Sequence, residues 1–159
     1  MNKAIVIYGS TSGNTAFLAQ FVKAGLETGG FEVVVKNVKN ASIEEFKDYD
    51  LVVLGSSTWD GKRQDGLSGK EQNKNVQGNL QIDMKSLAVQ LSTYDFVQRP
   101  VALFGVGHYS YTFTCNAALL LEELVKKANG RLIGDVFKVI DVADLYTDAI
   151  EQWASELKI

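Results

Sequence analysis

Residues 8–15 (YGSTSGNT) constrain this chain more than any other stretch, because they join a short apolar run to a segment with helical periodicity. Ser10, Thr11, Ser12 and Thr15 offer hydroxyls, and two glycines let the backbone approach a ligand closely. The first amides of the helix that follows have no partners inside the helix, so an anion is the natural occupant. Since the stretch has no Lys or Arg, it favours a resident phosphate-bearing cofactor over a phosphate that is transferred. The alternative is an ordinary capped helix start.

Length and composition predict one globular domain spanning residues 1–159. The chain is 46% hydrophobic, which is enough for one well-buried core. The net charge is −3 and the charges are spread along the chain, so we expect no nucleic-acid partner. The apolar run at residues 4–8 is too short for a signal peptide or a membrane span. We therefore expect a cytoplasmic protein without a membrane partner.

The chain contains one cysteine, Cys115, and one histidine, His108. These counts exclude an internal disulfide, a thiolate metal cluster and any metal site built on paired histidines. No nucleophile-elbow sequence supports a Ser-His-Asp triad around His108. We therefore predict no metal site and no catalytic residues. Cys115 lies at the start of a helical segment among apolar residues, and we interpret it as a packing residue rather than a redox thiol.

Short apolar segments alternate with helical segments along the whole chain. The predicted strands are residues 3–8, 31–36, 50–55, 101–104 and 132–140. The helical patterns cover residues 14–28, 87–91, 117–125 and 145–157, with a brief helical turn after Ser42. This alternation predicts an α/β fold, a three-layer sandwich in which a five-stranded parallel sheet has helices on both faces.

Three unusual loops follow the carboxyl ends of predicted strands, which is where ligands bind in such sheets. The first loop is residues 8–15, the second begins with residues 56–61 (SSTWDG), and the third is residues 105–113 (GVGHYSYTF). Residues 60–79 are polar and rich in glycine, which predicts one long, exposed and mobile excursion after the second loop.

Three motifs stand in the order and spacing of the flavodoxin family: residues 10–15 (STSGNT), residues 57–59 (STW), and residues 105–107 (GVG) with Tyr111. The chain resembles this family throughout its length. The resemblance implies the strand order 2-1-3-4-5, with FMN bound where the strand order reverses. It also implies a monomeric electron carrier of low potential, without a substrate of its own, which shuttles single electrons between a reductase and acceptor proteins that dock near the flavin edge.

The resemblance assigns a role to each part of the site. Residues 10–15 would hold the flavin phosphate. Trp59 and Tyr111 would lie on opposite faces of the isoalloxazine ring, because stacking between aromatic groups is favourable. Thr58 and the backbone of residues 107–109 would meet the ribityl chain and the pyrimidine edge. The cofactor-binding set so implied is Ser10, Thr11, Ser12, Gly13, Asn14, Thr15, Ser57, Thr58, Trp59, Asp60, Gly61, Gly107, His108, Tyr109 and Tyr111.

The chain departs from the family pattern in two places. His108 stands where many members have an acidic residue, which removes one negative charge from that loop. We expect a raised potential for the second electron and a dependence on pH where histidine titrates, the alternative being a solvent-facing histidine without coupling. The long loop carries four basic and three acidic residues, a net of +1. It would replace part of an acidic docking rim, or it is a tolerated insertion.

The rival function is a flavin-dependent quinone or nitro-compound reductase of the same fold. Such an enzyme would need a substrate pocket and usually a subunit interface over the flavin. Two other classes of protein are excluded because the chain lacks the motifs that they require. A receiver domain would need paired acids after the first strand, where this chain has Tyr8-Gly9-Ser10. A P-loop NTPase would need a lysine after Gly13.

Overall fold

A central, mainly parallel sheet organises the fold in a computed structural model that describes residues 1–59, 78–108 and 114–159. Its order is β2-β1-β3-β5-β6, and β7 also pairs with β5. Within these ranges β4 is the one antiparallel strand, and it pairs with the end of β3. The strands are β1 (Asn2–Gly9), β2 (Phe31–Asn37), β3 (Leu51–Trp59), β4 (Asn79–Leu80), β5 (Pro100–Gly107), β6 (Arg131–Leu132) and β7 (Phe137–Ile140).

Helices cover both faces of the sheet, because successive residues of each strand point to opposite sides. Ala4 and Val6 of β1 pack in one apolar cluster, and Ile5 and Ile7 pack in the other. The first cluster includes residues of α1 (Asn14–Thr28) and α4 (Thr147–Ser155), and the second includes residues of α2 (Ile82–Leu91) and α3 (Asn116–Lys127). Short 3₁₀ turns occupy Val38–Asn40, Ile43–Asp48 and Ala143–Tyr146. The predicted three-layer sandwich is confirmed.

The predicted strand order 2-1-3-4-5 holds for the five principal strand positions, with two differences in detail. The two-residue β4 adds an antiparallel pair, Thr58 with Leu80 and Trp59 with Asn79. The predicted fifth strand, residues 132–140, is divided into β6 and β7, and Gly134 between them has a φ of 66° that interrupts an extended strand. Both halves pair with β5, so they occupy one position in the sheet.

The second predicted loop begins later than the sequence indicates. Ser56 and Ser57 still pair with β5, so β3 runs to Trp59 instead of ending at residue 55. At the other end of the predicted excursion Gly78 is buried, which corrects the expectation that residues 60–79 are exposed throughout. Residues 60–77 lie outside the described part of the chain. No helix within the described ranges is long and apolar enough to cross a membrane.

Cys115 is buried where α3 begins, as the packing interpretation requires. It is 5% exposed, and its thiol donates to the carbonyl oxygen of Val139 at 3.4 Å. Burial raises the pKa of the Cys115 thiol, so the reactive thiolate is disfavoured at neutral pH.

We predict that Cys115 reacts with iodoacetamide at pH 8 at least about a hundredfold more slowly in the folded protein than in urea, because the thiol is both protonated and covered. Mass spectrometry of timed samples measures the rate. Labelling of the folded protein at the rate of the unfolded chain would show that Cys115 is an accessible thiol.

Candidate functional site

The three loops that the sequence singled out leave the sheet at one edge. The register pairs Gly9 with Ser56 and Ser56 with Gly105, so the carboxyl ends of β1, β3 and β5 lie side by side. β7 continues the edge, since Gly107 pairs with Ile140. The predicted convergence of the loops at the strand ends is therefore present.

The first loop turns into α1 through Gly13, which has a φ of 96°. This left-handed conformation suits a glycine and places Gly13 at the N-cap, where no side chain caps the helix. The amide of Gly13 instead donates to Ser10 Oγ at 3.2 Å. The helix start thus differs from an ordinary capped one, because the donors of its first turn have no side-chain acceptor within the described residues.

Thr15, in the first turn of α1, is 1% exposed. Its hydroxyl oxygen has no hydrogen-bond partner among the described residues. An unsatisfied buried hydroxyl costs about 1–3 kcal/mol, so a position of this kind requires an explanation. Beside an uncapped helix start with positive dipole, the acceptor oxygens of a phosphate provide one. The loop residues Ser12, Gly13 and Asn14 are exposed and surround the same helix end. The donor set therefore fits the phosphate of FMN.

Gln81 is a part of the site that sequence reasoning missed. It is 1% exposed, caps α2, and donates from Nε2 to Thr11 Oγ1 at 3.1 Å. A Cβ on Gly9 would lie 2.5 Å from Gln81 Oε1, so the glycine gives the amide room. The one available signal was a polar residue between Leu80 and Ile82 directly before a helix. Glutamine is not a preferred N-cap residue, and that signal was therefore weak.

The second loop places an indole at the edge of the sheet. Trp59 is 37% exposed, and its Nε1 donates to Ser57 Oγ at 2.9 Å, which fixes the ring. Thr58 points the other way. It is buried, and its hydroxyl accepts from the amide of Ala117 at 3.1 Å, so this side chain joins β3 to the start of α3.

Where the third loop begins at the end of β5, Gly107 packs against the backbone of Thr114. A Cβ on Gly107 would lie 1.3 Å from the carbonyl oxygen of Thr114, so only glycine fits there. Nearby, Asn116 Nδ2 donates to the carbonyl oxygen of Gly78 at 2.8 Å, in a buried contact. The site residues predicted at Asp60, Gly61, Tyr109 and Tyr111 lie outside the described residues.

His108 has an acidic neighbour that its own loop does not supply. Its Nε2 lies 3.2 Å from Asp141 Oδ1, and the two side chains are 45% and 37% exposed. The amide of Asp141 donates to the carbonyl oxygen of Gly107 at 2.8 Å, which holds the two residues together. The negative charge that position 108 lacks is therefore restored by Asp141. Sequence reasoning missed it because the contact depends on the pairing of β7 with β5.

The described residues contain no cluster of three or more His, Cys, Asp or Glu side chains that could hold a metal ion. Hydroxyls, amides and an aromatic ring instead line the edge of the sheet at the carboxyl ends of its strands. This chemistry suits an anionic, aromatic cofactor.

Comparisons with known proteins agree with this reading. The family model described as Flavodoxin matches residues 6–153. The flavodoxin of Maridesulfovibrio salexigens is 33% identical over 156 residues, which cover 98% of this chain and 96% of the relative. The flavodoxin of Nitratidesulfovibrio vulgaris is 27% identical over 158 residues, with 99% and 97% covered.

Solved structures show the same fold. Oxidised Flavodoxin 2 from Bacillus cereus has a TM-score of 0.78 and 26% identity, and the match covers 96% of this chain and 94% of that one. The Fusobacterium nucleatum flavodoxin bound to flavin mononucleotide has a TM-score of 0.72 at 17% identity, with 98% and 96% covered. The backbone is therefore similar over nearly the full length of each protein.

Proposed function

The chain belongs to the flavodoxin family, and from this premise we propose that it binds one FMN at the carboxyl edge of the sheet and carries single electrons between redox proteins. Bound FMN supplies the redox chemistry, since its ring accepts and releases electrons singly. The protein itself has no substrate. Its residues bind the cofactor, orient it and set the charge around it.

The observation that carries this proposal is the buried hydroxyl of Thr15, which has no hydrogen-bond partner among the described residues and lies at a helix start without a side-chain cap. The phosphate would accept hydrogen bonds from the first loop and from the first amides of α1. No basic side chain stands in this loop, so neutral donors and the helix dipole would balance the charge. The residues proposed for this end are Ser10, Thr11, Ser12, Gly13, Asn14 and Thr15.

The ring would lie at the other end of the site. We assign one face to Trp59, whose indole is already oriented by Ser57. Tyr111 would take the opposite face, as in the family pattern, and His108 with Tyr109 would border the pyrimidine edge. Thr58 would contribute through its backbone, because its side chain is buried against the first turn of α3, where the hydroxyl accepts from the amide of Ala117.

The direct test is reconstitution. We expect the apoprotein to bind one equivalent of FMN and then to be reduced by NADPH only when a separate flavodoxin reductase is present. A protein that oxidises NADPH with a quinone on its own would instead be the rival reductase. Sedimentation of the same sample tests the proposed monomer, and cell fractionation tests the proposed cytoplasmic location.

Charge near residue 108 should tune the potential of the second electron. We predict that Asp141→Asn raises this reduction potential and that His108→Asp lowers it, each by tens of millivolts. About 1.4 kcal/mol corresponds to roughly 60 mV for one electron, and charges exposed to solvent interact weakly. Potentiometry of the FMN-loaded proteins at one fixed pH measures this. Equal potentials for the wild type and both variants would contradict it.

The long second loop is proposed to contribute to reductase docking. Trp59 pairs with Asn79, so the two ends of residues 60–78 already lie side by side and a short linker can join them. A deletion must spare Gly78, whose carbonyl accepts from Asn116. Replacing residues 62–76 by two glycines should leave FMN affinity unchanged and alter both the rate of reduction by the reductase and its salt dependence. Unchanged rates at every salt concentration would identify the loop as a tolerated insertion.

A further inference from the structure

We propose that Gln81 is a positioning residue for the cofactor phosphate, because its side-chain amide turns the hydroxyl hydrogen of Thr11 toward the space in front of α1. This inference rests on the proposed function, since it concerns the same phosphate site. It adds a residue from a different element, α2, that does not touch the phosphate itself.

Every hydrogen-bonding position of the buried Gln81 side chain is used. Oε1 accepts from the amides of Asp83 at 2.9 Å and Met84 at 3.2 Å. Nε2 donates to Asp83 Oδ2 at 2.8 Å and to Thr11 Oγ1 at 3.1 Å. The reverse orientation would place the NH₂ group against two amide donors and the oxygen against a carboxylate. The direction of the amide is therefore fixed by its surroundings.

This direction decides what the Thr11 hydroxyl can do. A hydroxyl has one hydrogen and two lone pairs, and Gln81 occupies a lone pair. The hydrogen of Thr11 is thus left to point elsewhere, and Thr11 is an exposed residue of the first loop. Ser10 is biased in the same sense, because its oxygen accepts from the amide of Gly13. Ionised phosphate oxygens only accept hydrogen bonds, so two hydroxyls held as donors match them.

The position of Gln81 is itself held firmly. Its backbone amide donates to Ser56 Oγ at 3.1 Å in a buried contact with β3. Its side chain lies over Gly9, where any Cβ would collide with it. Asp83, which receives the other amide hydrogen, lies 3.6 Å from Lys39, so a countercharge balances the acid beside the loop. α2, β3 and the first loop are therefore joined through one residue, whose backbone contacts β3 and whose side chain contacts the loop.

The test compares FMN with riboflavin, which lacks the phosphate, as ligands of the apoprotein. Gln81→Glu keeps an acceptor for the α2 amides but turns the group that faces Thr11 into an acceptor, so the hydroxyl hydrogen turns back toward residue 81. We expect FMN affinity to fall about tenfold to a hundredfold, as for loss of a hydrogen bond to a charged group, and riboflavin affinity to stay constant. Gln90→Glu adds the same charge to an exposed site on α2 and should change neither affinity.

A neutral variant separates the effect on Thr11 from the added charge. Gln81→Met should weaken FMN binding about threefold to tenfold, the range of a neutral hydrogen bond. If Gln81 acts through Thr11, the double variant Thr11→Val with Gln81→Met should bind FMN no more weakly than Thr11→Val alone. Urea unfolding of each apoprotein reports any loss of stability, and Gln81→Leu, a second neutral variant, replaces Gln81→Met if that protein does not fold.

The outcomes distinguish this inference from the function it rests on. A wild-type protein that binds FMN no better than riboflavin would overturn the proposed phosphate site itself. A wild-type preference for FMN that Gln81→Glu leaves unchanged would overturn the role of Gln81 alone. An equal loss of affinity for both ligands would also overturn it, because a merely structural residue would act on the whole site.

Discussion

Replacing Thr15 by valine is expected to weaken FMN binding by about tenfold to a hundredfold while leaving the apoprotein at least as stable as the wild type. The two side chains have nearly the same shape, so packing is preserved. The hydroxyl is buried without a partner among the described residues, and its removal relieves an unfavourable burial. The same removal takes away a donor to the phosphate. Affinity and stability should therefore change independently.

Fluorescence titration with FMN and urea unfolding of the apoprotein measure the two quantities. Thr28→Val is the matched control, because Thr28 is the exposed last residue of the same helix and should affect neither. If Thr15→Val destabilised the apoprotein and left FMN affinity unchanged, the hydroxyl would be a structural group and the phosphate would bind elsewhere.

The substitution Gly107→Ala should destabilise the protein by at least about 3 kcal/mol, the upper part of the usual range for overpacking. The added methyl would lie 1.3 Å from the carbonyl oxygen of Thr114, which is backbone and cannot rotate away. The segments on either side must then separate. Since His108 and Asp141 meet beside this contact, FMN affinity should also fall.

Gly29→Ala is the control for this second prediction. Gly29 has a helical φ of −72°, and an added Cβ would lie 3.1 Å from the carbonyl oxygen of Ser155. That contact is tight but needs only a slight shift, so a much smaller loss of stability than at Gly107 is expected. Urea unfolding compares the two variants at equal protein concentration. A Gly107→Ala protein as stable as Gly29→Ala would show that the third loop can be displaced without cost.

Most of the fold follows from local patterns in the sequence. Residues buried on both sides, as in β1, give continuous apolar runs, and amphipathic segments such as α3 give helical spacing. The residues at which strands and helices end are predicted less well by these local patterns. Ser56 and Ser57 look like loop residues, and they remain in β3 because β5 supplies hydrogen-bonding partners. This pairing is a tertiary effect that no local pattern contains.

The candidate site, too, could be predicted from the sequence only in part. The hydroxyl-rich loop before α1 is contiguous in sequence, so its residue types alone predict an anion site. Gln81 and Asp141 come from distant parts of the chain, and they join the site only because α2 starts over Gly9 and β7 pairs with β5. Neither residue belongs to the three motifs that carry the resemblance. Their contributions required the three-dimensional arrangement.

On a bound FMN, this protein would carry electrons one at a time. An anaerobic spectroelectrochemical titration of the FMN-loaded protein tests it most directly. We predict two one-electron midpoints that are resolved from each other, with the second at low potential. A single two-electron wave would contradict it and would favour a reductase that acts on its own substrate.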